Sequence, residues 1–154
     1  MALILAFLPS LRAITDTKSN SLSIIEVLDK LAINPVLIPE ENGSFVLPIT
    51  WTFTTIWNIE DDECGQNFAQ RIELRAPNTE IIGRAESPFQ RESSRHQRTI
   101  TVVVEIFGFP VVGDGEYYAN LSVKRQEGNW DNVSSFPIIV KFEELNGEEL
   151  ISNS

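Results

Sequence analysis

Three places in the chain hold residue types that could do chemistry. Glu60-Asp61-Asp62-Glu63 sets four carboxylates in a row ahead of Cys64-Gly65. Carboxylate oxygens are the ligands calcium prefers, so the run is a candidate metal site. Its spacing speaks against that use, because calcium loops place their oxygens at alternate positions and consecutive acids seldom converge on one ion. The second place is Gln90 to Arg98, which carries Arg91, Arg95, His96 and Arg98 with no apolar residue between them. Arginine forks grip carboxylates at two points and are favoured as interface anchors, so these four are candidate contacts for an acidic protein partner. His96 would make such a contact sensitive to pH near neutrality. The third is Trp130, in Gly128-Asn129-Trp130-Asp131-Asn132. A hairpin tip seldom covers an indole fully, which makes Trp130 a candidate anchor for a protein or a stacked sugar.

The rest of the composition narrows the chemistry. With one cysteine and one histidine the chain forms no intrachain disulfide and lacks the usual zinc cage. Cys64 beside four acids is a poor thiolate and so a poor nucleophile. Asp114 and Glu116 flank Gly115, where turn chemistry is their simplest role. No glycine-rich phosphate loop, Gly-x-Ser-x-Gly elbow or Cys-x-x-Cys pair is present, so neither catalysis nor a cofactor is expected. Twelve Lys and Arg against twenty-two Asp and Glu give a net charge of −10, which repels phosphate backbones and anionic lipid. Nucleic acid and membrane surfaces are not expected partners. The charge is also unevenly laid out. Six arginines and four glutamates between residues 71 and 98 leave that stretch at +2 and the remainder at −12.

The elements that must carry these residues read as strands. From Phe45 through Leu47, Ile49, Trp51, Phe53, Thr55, Trp57 and Ile59 every second residue is apolar or Thr, the period of a long strand with one core face. Pro48 cannot donate to a ladder, so it belongs at a bulge, an edge or a crossing between sheets. The same period runs through Ile100, Val102, Val104 and Ile106, through Tyr117, Ala119, Leu121 and Val123, and over Phe136 to Phe142. Gly113-Asp114-Gly115 and Glu127-Gly128-Asn129 supply the turns. Phe68 to Arg75 and Glu80 to Ala85 form a hairpin around Ala76-Pro77-Asn78-Thr79, and Ser87-Pro88 marks a further turn into the arginine-rich loop. Ser21 to Leu31 has apolar residues at helical spacing, but Ile24, Ile25 and Val27 are β-branched and favour a strand. The sum is seven to nine strands in an all-β, immunoglobulin-like antiparallel sandwich. Tyr117, opening a late strand after Gly115-Glu116, matches the tyrosine corner of such folds.

At 154 residues one core is expected, as a single domain over residues 1–145 with an acidic tail at 146–154 extending into solvent. Ala2 to Phe7 is apolar, yet no Lys or Arg precedes it and Pro9 interrupts it, so it reads as a buried opening strand rather than a secretion signal. Without such a signal the sequons at Asn42, Asn120 and Asn132 carry no meaning. The apolar first strand, the segment Leu22-Ser23-Ile24-Ile25-Glu26-Val27, the loop with Pro35 and Pro39 and the late Gly115-Glu116-Tyr117 strand resemble an uncharacterised family of small bacterial β-sandwich proteins, a domain of unknown function. That resemblance implies a bacterial, cytoplasmic protein and brings no catalytic residues with it.

Two functions follow as expectations. The first is a non-enzymatic sandwich that binds another protein or self-associates, through the loop-end surface of Arg91, Arg95, His96, Arg98 and Trp130 or through a strand edge. The second is a carbohydrate- or calcium-dependent ligand-binding module using Trp130 and residues 60 to 63.

Overall fold

The structure is a computed structural model that describes residues 1–19, 21–38, 44–92 and 97–143. Nine strands run through these residues: β1 (Leu3–Thr15), β2 (Leu22–Val27), β3 (Lys30–Ile33), β4 (Ser44–Asn58), β5 (Asn67–Arg75), β6 (Ile81–Gln90), β7 (Thr99–Val112), β8 (Gly115–Arg125) and β9 (Asp131–Phe142). They form a four-stranded sheet in the order β2-β1-β4-β7 and a five-stranded sheet in the order β3-β9-β8-β5-β6. With β1, β4 and β7 in one layer and β9, β8, β5 and β6 in the other, the order is that of an immunoglobulin-like sandwich. The segment with helical spacing is strand, divided between β2 and β3. One pairing departs from the antiparallel expectation: β3 runs parallel to β9, because the chain leaves the first sheet after β2 and joins the second beside its last strand.

The core follows from the period-two patterns. Trp51, Phe53 and Trp57 of β4 face Phe68 and Ile72 of β5, Tyr117, Leu121 and Val123 of β8, and Ile138 and Val140 of β9, all nearly or wholly buried. Trp57, Phe89 and Phe68 stack in series, with centroids 5.0 and 5.5 Å apart. Full burial of each such side chain stabilises the fold by roughly 1.5–3 kcal/mol.

Two local devices set strand phase. Pro48 lies in the irregular step between Leu47 and Thr50, where β4 has one residue more than β7. Across from it Gly108 takes φ +85°, and a Cβ there would sit 2.6 Å from Val46 Cγ1. The bulge changes the inward set of β7 from Phe109 and Val111 to Ile106, Val104 and Val102, and it turns Phe107 out to 78% exposure. Trp51 Nε1–H donates to the Gly108 carbonyl at 2.9 Å and ties the bulge to the core. At the β7–β8 turn the Tyr117 hydroxyl donates to the Gly113 carbonyl at 2.6 Å and accepts from the Val112 amide at 2.7 Å. This is the tyrosine corner expected from the sequence.

Candidate interaction site

The arginine-rich stretch is placed differently from its reading as an exposed loop. Ser87 and Pro88 do not turn the chain. They belong to β6, which continues to Gln90 and pairs Phe89 with Phe68. That pairing carries Arg91 inward, where only 5% of it is exposed. Its Nη1 donates to the Ile59 carbonyl at 2.9 Å and to Asp61 Oδ1 at 2.8 Å. Arg91 thus leaves the exposed contact surface on which it was expected, because an inward-facing Phe89 two residues earlier fixes its side. Arg95 and His96 lie outside the described residues. Arg98 is exposed and reaches Asp61 at 3.4 Å and Glu60 at 3.8 Å.

The four consecutive acids diverge. Asp61, Asp62 and Glu63 form a short 3₁₀ turn whose residues point in different directions. Glu60 accepts from the Asn58 amide, and Asp61 pairs with Arg91 and Arg98. The hydrogen bond from Arg91, and then the charge of Arg98, hold the Asp61 carboxyl below its ordinary value. Glu63 turns inward to 2% exposure, 2.9 Å from Arg125 and 2.6 Å from the Met1 ammonium. Among the described residues no group of three or more His, Cys, Asp or Glu side chains is placed to hold a metal ion. The arginines that face Glu60, Asp61 and Glu63 already supply the positive charge a cation would bring.

Trp130 folds back from the hairpin tip onto the outer face of the second sheet. The Arg71 guanidinium lies 4.0 Å from its ring centroid and the Lys124 ammonium 4.8 Å. Contacts of this kind are worth about 0.5–1 kcal/mol at exposed sites. Arg71 also pairs with Glu86 at 2.9 Å, and the neighbouring Arg84 with Glu73 at 3.1 Å. The indole is therefore half-buried in a charged lattice of its own sheet.

A different feature is concave and largely apolar. The sandwich is open on the side where the edge strands β6 and β7 face each other, and a cleft of about 230 Å³ lies between them. Trp51, Phe53, Ile72 and Leu74 line it from the core, with Gly83 and Ala85 on one bank and Ile106 on the other. Its cause is in the sequence of β6. The residues paired with inward Leu74, Ile72 and Gln70 are Gly83, Ala85 and Ser87, three small side chains in succession. They leave uncovered what larger residues would have sealed. Each bank is also a strand with a single sheet neighbour, β5 for β6 and β4 for β7, so each has a row of backbone donors and acceptors without a ladder partner. Sequence reading could have found this cleft by asking which inward positions of an edge hairpin were too small to close a core.

No family model matches the chain, and no curated protein matches it either. Among solved structures it is similar to the PmoD soluble domain from Methylocystis sp. ATCC 49242 (Rockwell), at 15% identity and a TM-score of 0.33, over 92% of this chain and 98% of that one. The functional reading rests on the residues themselves. Among the described residues no helix is long and apolar enough to cross a membrane.

Proposed function

We propose that this chain is a non-enzymatic β-sandwich module that binds another protein by accepting an extended segment along the β6–β7 opening. The observation that carries the reading is the coincidence of two unladdered strand edges with an apolar cleft between them. Strand addition uses both features: main-chain hydrogen bonds to an edge give affinity, and alternate side chains entering pockets give specificity. The occupant presents apolar side chains at every second position toward Ile72, Leu74 and Ile106. On its other side it meets the sheet face bearing Arg71, Arg75, Arg84 and Lys124 against Glu73 and Glu86, which favours acidic residues there. The loop-end arginines support this reading less, since Arg91 and Arg98 already face Asp61. A cytoplasmic setting is part of the proposal and follows from the reduced state of a lone Cys64.

A photoreactive side chain in place of Ala85 tests it in cells. The expected outcome is a recurring covalent adduct to one protein, mapped to a segment with alternating apolar residues and lost when Gly83→Trp fills the cleft. Adducts scattered over many proteins, or a recurring adduct that survives Gly83→Trp in a folded variant, would overturn the assignment.

A further inference from the structure

The two sheets present very different outer faces. That of the second sheet is dense in charge, with Arg71, Glu73, Arg75, Arg84, Glu86 and Lys124. On the first sheet the registers Val27–Ser10–Thr52–Glu105, Leu8–Thr54–Val103 and Thr50–Phe107 place Thr, Ser and apolar residues outward. Ile14, Ile25, Val27, Val103 and Phe107 are all exposed there. The charged side chains in these outward rows of paired residues are Arg12, opposite Ile25, and Glu105, opposite Thr52. Neither makes an ion pair with a described residue, although both line one shallow concavity of about 410 Å³ together with Thr50 and Thr52. A face exposed to water on a chain of net charge −10 has little reason to be so poor in charge.

We infer that the outer face of the first sheet is the contact between two copies of this chain, related by a two-fold axis. Three features commit the face to a second copy. Its net charge is zero, so two strongly anionic molecules meet there without the repulsion their other surfaces impose. Its two charges are opposite and lie on either side of β4. A two-fold axis in the plane of contact, passing between them, sets Arg12 of each copy over the partner's Glu105, so one juxtaposition satisfies both charges twice. The face also has the required size. Strands about 4.8 Å apart and rising about 3.3 Å per residue give three long strands and the short β2 on the order of 700 Å², close to the roughly 800 Å² each partner contributes to a standard interface. Phe107, held out by the Gly108 bulge, is the apolar anchor of the contact.

This contact lies outside the β6–β7 cleft apart from Phe107, so it can fail while strand addition holds, and the reverse. Sedimentation equilibrium of the full chain across a concentration series reads it directly. The expected result is a monomer–dimer equilibrium. Arg12→Glu and Glu105→Arg each set like charges over each other and raise the dissociation constant about 10-fold or more, and the double variant R12E/E105R restores the dimer. Val103→Lys, at an exposed position outside the cleft, also yields monomer with unchanged far-ultraviolet circular dichroism. Monomer at every concentration would overturn the inference. So would a dimer indifferent to these substitutions, or single variants not rescued by the double one in folded protein.

Discussion

Tyr117 shows how one atom can close a fold. Its hydroxyl answers two backbone groups at the β7–β8 turn, and removing it leaves the Val112 amide and the Gly113 carbonyl without that partner. Tyr117→Phe is expected to cost about 1–3 kcal/mol of unfolding free energy, measured by urea titration. The same variant has a signature in alkali. Burial pushes the Tyr117 phenol above its ordinary value, with the charge of Asp114 adding to the effect and the Val112 amide opposing it. A raised folded pKa means that the stabilising contribution is whole below the unfolded value and is lost as pH climbs through and past it. Stability of the parent chain should therefore fall above about pH 10 more steeply than that of the Phe variant. Equal slopes would show that the phenol does not ionise differently in the two states. Arg91 and Trp130 were visible in the sequence only as exposed types at exposed-looking spacings. Each is held by partners distant in the chain, Asp61 for one and Arg71 for the other, and no local pattern records such a pairing.

Among the elements, β6 and β7 decide most of the outcome, and two glycines separate their roles. Gly108 sits at φ +85° against Val46, whereas a Cβ on Gly83 meets Leu74 at 3.6 Å, an ordinary contact. Gly108→Ala should cost at least about 1–2 kcal/mol through the left-handed backbone alone, with the clash in addition. Gly83→Ala should be neutral or stabilise by up to about 1 kcal/mol by restricting the unfolded chain. Paired thermal unfolding of the two variants checks this, and a Gly108→Ala variant as stable as the parent would remove the bulge from the account of how Phe107 is presented. The long β4 was legible because thirteen residues of unbroken alternation have no helical reading. The extent of β6 was not, since Ser87-Pro88 is a turn signal that the pairing of Phe89 with Phe68 overrides. Proline is tolerated there because the strand is an edge.

For the whole molecule, charge is the first consideration. At −10 the folded chain repels itself, and the surface ion pairs that salt would weaken are worth little individually. The thermal midpoint is therefore expected to rise as the screening length falls from about 30 Å in 10 mM salt toward about 8 Å at physiological strength; a midpoint that drops instead would mean that ion pairs such as Arg125–Glu63 dominate. The neutral face of the first sheet and the basic side of the β6–β7 opening stand out against that anionic background, and they are where recognition is placed. By itself the sequence determined the layer architecture, the core tryptophans and the tyrosine corner, because period-two burial and turn chemistry are local and act within a few residues. Only the tertiary structure decided which strands became edges, which carboxylates met arginines and where small side chains left a gap. These depend on which distant segments lie side by side, and chain order does not encode that until the sheets have packed.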